Sequence, residues 1–377
     1  MKNPFTFGHL TDIDSFVNRE DEIKYLNQNI NNQIHTILVS PRRWGKSSMV
    51  NVLERKIGKS KDTVFCHLDL YNTADEKEFL DAFSNKIISS VYTKSAEFLK
   101  SISNLFKKFK PKFSIETGDK VKLSMDFDLE NDRINYDEIL DLAENIAIKK
   151  KKKLVICIDE FQNIENFKNH IDFQKRLRAH WQHHQNVVYI LYGSKRSMMS
   201  SLFEKQSMPF YKFGDVIYLQ KIAPEHFIKF IVSRFRKTKK KISKANATEI
   251  TDLMDNHPYY IQQFAHIVWN NTESEVDTDI MKISLADIIG RNSLLFDQMF
   301  ENLSYYQRKV LKMLIFEKSD KYTTNDNIIR YELQNSANVI QALNALEKKE
   351  IIDRFEGSPM FLDPVFKMWL RKRVFVD

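Results

Sequence analysis

Gly45-Lys46-Ser47 sits between an apolar run, Ile37-Leu38-Val39, and a helical pattern that opens at Ser47-Ser48. A glycine there lets backbone N–H groups approach an anion, a lysine carries positive charge to its outer oxygens, and a hydroxyl suits a hard cation. A strand, a tight loop and a helix start in that order form a phosphate cradle, so Ser40, Pro41, Arg42, Arg43, Trp44, Gly45, Lys46, Ser47 and Ser48 are the candidate nucleotide-binding residues. Far downstream the run Leu154-Val155-Ile156-Cys157-Ile158 delivers two adjacent acids, Asp159 and Glu160. Asp159 is placed to hold Mg²⁺ together with Ser47, and Glu160 to orient and deprotonate an attacking water. Lys46 and Glu160 are therefore the catalytic candidates, with nucleotide and Mg²⁺ as the expected ligands.

A phosphate loop of this kind ordinarily begins with glycine five positions before Gly45, where this chain has Ser40. Its Cβ constrains the loop entry. Ser194 follows Gly193 at the end of a further apolar run and is the third catalytic candidate. It serves either the γ-phosphate and the water, or simply as a strand terminator. Arg196 reads equally as a phosphate sensor or as an exposed helix arginine. Arg42 and Arg43 have three readings, toward phosphates, a neighbouring subunit or solvent.

These residues need a scaffold that brings strand ends together. The first half alternates strand-like and helix-like segments, the pattern of a parallel α/β sheet. Asn18 is placed to cap a helix beginning at Arg19-Glu20-Asp21. Strands are expected near residues 35–39, 63–70, 154–159, 187–192 and 216–219. The loop strand should neighbour the 187–192 strand, which should neighbour the acidic one. Helices are expected near 49–57, stopping at Gly58, and near 76–91 and 136–147. Alternation at 112–116 and 121–125 around Gly118-Asp119-Lys120 predicts a β-hairpin insertion at about 110–128. From Ala223 the pattern is helical only. Beyond about 295, helices end in two alternating segments joined by Glu356-Gly357-Ser358-Pro359. The expected organisation is an α/β core of the P-loop ASCE type over 1–222, a helical lid over 223–294, and a winged-helix-like domain over 295–377.

With 377 residues, 42% hydrophobic and 29% charged, the chain has enough apolar matter for two or three domains. No apolar stretch reaches membrane-spanning length, and Met1-Lys2-Asn3-Pro4-Phe5 lacks signal-peptide features, so a cytoplasmic protein without membrane partners is expected. Cys66 and Cys157 fall in expected core strands, which argues against a disulfide. The net charge of +8 resides partly in lysine runs at 149–153, 237–241 and 107–110, each read as solvated surface.

On these residues the chain resembles the AAA+/STAND-type P-loop ATPases, especially the archaeal-type ATPase family also found in bacteria, over almost its whole length. Phe16-Val17-Asn18-Arg19-Glu20 is similar to that family's Phe-x-Gly-Arg-Glu box beside the adenine, with Asn18 at the usual glycine. Ser40 to Ser48 resembles its Pro-Arg-Arg Walker A loop, and Asp159-Glu160-Phe161-Gln162 its Walker B ending. Gly193-Ser194 resembles its sensor strand end, and His257-Pro258-Tyr259 its lid motif. The resemblance implies ATP rather than GTP, and adds Asn18, Arg19, His257 and Pro258 to the cofactor-binding set. Pro209-Phe210-Tyr211-Lys212-Phe213 lacks the arginine often found before the last strand of such proteins.

The expected function is ATP hydrolysis with Mg²⁺, driving a conformational switch in the lid and the C-terminal domain, with ADP as product and a protein partner downstream. The alternatives are a nucleotide-gated DNA-binding regulator and a nucleotide-binding switch with little hydrolysis; oligomerisation is open. Residues 301–377 hold 13 Lys/Arg against 11 Asp/Glu, which offers little phosphate neutralisation for DNA. The candidate recognition helix, about 336–349, would bury Val339, Leu343 and Leu346 and turn Asn338, Gln341 and Asn344 outward.

Overall fold

The computed structural model describes residues 1–9, 16–57, 62–92, 112–116, 120–124, 133–317, 322–355 and 358–375. The described chain separates into two compact units. One comprises Arg19–Pro41 and Lys46–Gln220; the other comprises Met1–Asn18, Arg42–Gly45 and Lys221–Asp377.

The first unit is built on five parallel strands: β1 (Thr36–Val39), β2 (Thr63–Asp69), β5 (Lys153–Asp159), β6 (Val187–Gly193) and β7 (Asp215–Tyr218), in the order β2-β5-β6-β1-β7. β6 lies between β1 and β5, so Val39, Asp159 and Gly193 end neighbouring strands at one carboxyl edge, where open α/β sheets bind ligands. β1 and β6 are buried at every position, which is why they read as continuous apolar runs and not as alternation. Helices Lys46–Ile57, Glu76–Val91 and His170–Trp181 bury apolar stripes in this unit. Asp75 accepts a hydrogen bond from the Glu78 N–H and starts the second of these. Trp181, fully buried, stacks on Tyr189 at 4.1 Å between ring centroids and anchors an aromatic core with Phe79, Phe83, Phe161, Phe173 and Phe210.

Two local expectations need correction. The first helix, Glu20–Asn31, is preceded by Arg19 in a left-handed conformation (φ 75°), and Asn18 does not cap it. Asn18 itself has φ 57°. That explains the asparagine where glycine is usual, since both tolerate this region better than other residues. The helix expected at 136–147 is two helices, Arg133–Leu140 and Leu142–Lys150. At the break, the Asp141 carboxylate bonds His180 Nδ1 at 2.8 Å and His184 Nε2 at 3.3 Å. β3 (Lys112–Glu116) and β4 (Lys120–Ser124) pair antiparallel as a separate two-stranded sheet. The helix stop at Gly58, the lysines at 107, 108 and 110, the Gly118-Asp119 turn and the Glu356-Gly357 turn lie outside the described residues. Cys66 and Cys157 are buried free thiols.

The second unit is helical apart from one hairpin. Pro258 at the first turn of Pro258–Asn271 fits the missing N–H of a helix start. A continuous helix, Thr278–Glu301, capped by Asp277, runs through position 294. Beyond it Tyr305–Phe316 opens with a full capping box from Ser304 and Gln307. Asn325–Arg330 and Ser336–Lys348 follow, then β8 (Ile352–Phe355) paired antiparallel with β9 (Ser358–Phe361). This helix-helix-helix-hairpin order is a winged helix, and Val339, Leu343 and Leu346 form its buried stripe. Phe5 packs on Phe235 and Phe230, which ties the N-terminal residues to this unit's helices. Among the described residues no helix is long and apolar enough to cross a membrane.

Candidate functional site

In the first unit the side chains predicted to do chemistry converge on the sheet's carboxyl edge. Lys46 is 6% exposed, and its Nζ donates to the Ser40 carbonyl at 2.7 Å and the Pro41 carbonyl at 3.0 Å, with Ser40 Oγ at 3.3 Å. Ser40 is therefore useful where a glycine was expected: it adds an acceptor for the ammonium, and its φ is not positive. Ser47 Oγ donates to Asp159 Oδ2 at 2.6 Å, joining the helix start to the end of β5. Asp159 Oδ1 accepts from the Glu160 N–H at 2.8 Å. Burial pushes the Asp159 carboxyl above its ordinary value, against the opposing pull of the Ser47 hydroxyl and the Lys46 charge.

Glu160 has φ 51°, a left-handed conformation that a non-glycine residue adopts at a cost of about 1–3 kcal/mol. The turn that imposes it, Phe161–Asn166, is pinned by Phe161, fully buried against Phe203 and Phe210. Phe210 and Phe213 belong to the segment lacking the expected arginine, and they serve the core instead. Glu160 Oε2 accepts from Ser194 Oγ at 2.9 Å and from Gln162 Nε2 at 2.5 Å. Ser194 thus meets the acid at the end of the neighbouring strand, and Gln162 joins the constellation without a role assigned from sequence. Its sequence signals are its place two residues after Glu160 and its membership of the Asp159-Glu160-Phe161-Gln162 segment. Arg196 is buried, which removes its reading as an exposed helix arginine. Arg19 is also buried, with Nη1 on Glu22 Oε1 at 2.7 Å.

The other loop residues belong to the second unit. Gly45 has φ 89° with open space where a Cβ would project, so glycine is required there by conformation rather than by crowding. Arg43 (φ 63°) places its guanidinium 4.5 Å from the Tyr259 ring centroid and donates to Tyr260 Oη at 3.3 Å. Arg42 pairs with Glu350 at 2.8 Å. Trp44 is buried edge-on to His257, which is itself 5% exposed and packed against Tyr260. Burial, with Arg43 and Lys221 nearby, pulls the imidazole down to about 3, so His257 is neutral at ordinary pH. Tyr260 hydrogen-bonds Asp363, the cap of Pro364–Trp369. No local pattern foretold Glu350 or Asp363, because their partners Arg42 and Tyr260 lie 308 and 103 residues away in sequence.

Residues 16–264 match the family described as "ATPase domain predominantly from Archaea". The chain belongs to this ATPase family. Residues 294–372 match a second family, described as "Probable winged helix domain". The fold is similar to a Walker-type ATPase of Pyrococcus abyssi, at 16% identity, covering 97% of this chain and 99% of that one with a TM-score of 0.67. It is also similar to the ORC2 protein of Aeropyrum pernix, solved as ADPNP–ADP complexes, at 12% identity, 96% and 94% coverage and a TM-score of 0.55. No curated protein matches the sequence.

The oxygen donors present suit magnesium. Among the described residues no group of three or more His, Cys, Asp or Glu side chains could hold a metal unaided. Ser47 and Asp159 instead offer two hard oxygen ligands, and Mg²⁺ is commonly held by one or two protein oxygens, with phosphates and water completing its shell.

Proposed function

We propose that this ATPase hydrolyses ATP with Mg²⁺ and uses the cycle as a conformational switch. The observation that carries the reading is the 2.6 Å bond between Ser47 and Asp159, which sets a hydroxyl and a carboxylate side by side with Glu160 as the next residue. Backbone N–H groups of the loop at 40–48 would cradle the phosphates, and Lys46 would exchange its carbonyl partners for phosphate oxygens. Bound magnesium would be held by Ser47 and Asp159 and would neutralise phosphate charge. Glu160 would take the proton of the attacking water, whose oxygen bonds to the γ-phosphorus as the bond to the ADP oxygen breaks. ADP and phosphate leave.

Asn18, Arg19, His257 and Pro258 are proposed nucleotide contacts. The neutral His257 imidazole is suited to hydrogen bonding and not to pairing with phosphate charge. The switch is supported by the grouping of Arg42–Gly45 with the C-terminal unit, where Arg42 meets Glu350 and Arg43 meets Tyr259 and Tyr260. A loop that changes partners when phosphate binds can transmit that change to the winged helix. The proposed domain scheme is a core to residue 222, a lid over 223–294 and a winged helix over 295–377, with the helix Thr278–Glu301 spanning the last boundary.

The test is steady-state phosphate release by wild type beside Lys46→Ala and Glu160→Gln. Loss in both, with ATP binding retained in Glu160→Gln, is the expected result; unchanged turnover in Glu160→Gln removes that residue as the base.

A further inference from the structure

A carboxylate that must deprotonate water has to present one oxygen outward and keep it there. Glu160 meets both of its hydrogen-bond donors through Oε2. The amide of Gln162 is the closer, and its side chain is fully buried. Its orientation is forced by chemistry: an ionised carboxylate accepts only, so the NH₂ end must face it. Gln162 Oε1, buried without a hydrogen-bond partner, then lies against the Cα of Gly193. A Cβ on Gly193 would stand 1.9 Å from that oxygen and 2.8 Å from Met199 Sδ. The missing side chain at 193 therefore makes room for the amide. A buried carbonyl left without a partner costs free energy. A packing role alone would be filled more cheaply by Leu or Met, so the amide is kept for its donor.

We propose that Gln162 is a positioning residue for Glu160, seated by Gly193. It fixes Oε2, with Ser194 as the second donor, so that Oε1 faces the water. This rests on Glu160 being the general base.

The test compares wild type, Gln162→Met, Gly193→Ala, their double variant and Glu160→Gln. The readouts are kcat and KM, affinity for a fluorescent ATP analogue, and thermal melting. Expected are losses of about ten- to hundredfold in kcat for each single variant, with KM and nucleotide affinity held within about twofold. The double variant should be no slower than the slower single one, because both changes break one bond. A silent Glu160→Gln beside a folded Gln162→Met with wild-type kcat overturns the proposal. So does a fall in nucleotide affinity that accounts for the whole loss, which would make Gln162 structural. Turnover that survives Glu160→Gln overturns the base assignment itself, and this proposal with it.

Discussion

The carboxyl edge of the five-stranded sheet and the winged-helix helix Ser336–Lys348 both collect polar side chains, in opposite settings. At the sheet edge Lys46, Ser194 and Gln162 are buried, and the strand ends are joined across 112 residues of sequence by Ser47 with Asp159 and across 34 by Ser194 with Glu160. On the helix Gln341 and Asn344 are exposed, and partners come from adjacent segments: Arg354 reaches Glu347 and Asn344, and Asn338 bonds Gln334. Removing polar groups from water costs free energy unless something uses them, so the buried set points to chemistry. The helix set is a solvated face already occupied by its own neighbours. This difference favours nucleotide chemistry over direct DNA reading as the chain's main activity.

Substitutions can break that contrast, starting with the largest effect. Glu160→Gln should lower kcat by about a hundred- to ten-thousandfold while leaving ATP affinity near wild type. Phosphate release and equilibrium titration measure the two separately. Phe161→Ala should cost about 3–5 kcal/mol of stability by opening a cavity beneath the same turn, read from denaturant unfolding. A smaller change would mean that Phe161 does not pin Glu160.

Asp141→Asn sharpens the contrast, because its polar cluster belongs to the same unit but lies away from the sheet edge. Burial would raise the Asp141 carboxyl, but hydrogen bonds from His180 and His184 outweigh it and hold the group well below 3.8. The bond to Asp141 raises His180 above 6.5. The carboxylate's contribution is present above its unfolded value and lost as pH falls. The imidazole's is present below its unfolded value and lost as pH rises through the raised one. Wild type should therefore exceed the variant in stability most between about pH 4 and 6.5, by about 1 kcal/mol once solvent screening of the half-exposed pair is allowed for. Turnover should not change. The smallest effect belongs to Gln341→Ala, expected within about 0.5 kcal/mol of wild type in stability and indistinguishable in turnover. A large loss of ATPase rate there would erase the distinction between the two regions.

Much of this arrangement was legible in the sequence. The parallel sheet followed from apolar runs alternating with helical stripes, and β6 between β1 and β5 follows from how such sheets wind. The winged helix was visible in helices ending in a paired alternation. Lys46, Ser47, Asp159 and Glu160 could be named because each sits at a fixed offset from a strand end. What sequence could not supply was contact between elements. The Asp141 break, the bond from Gln162 to Glu160 beneath Gly193, and the pairing of Arg42 with Glu350 depend on side chains meeting after folding. Asn18 was misjudged as a cap because asparagine suits both a helix cap and a left-handed backbone, and only the torsion distinguishes them.

The most direct test of the central claim is ATP turnover by wild type and Lys46→Ala, each with and without duplex DNA. The account predicts turnover in wild type, its loss in Lys46→Ala, and indifference to DNA. Turnover that persists in Lys46→Ala would contradict it, and so would a wild type that binds ATP through Lys46 without hydrolysing it.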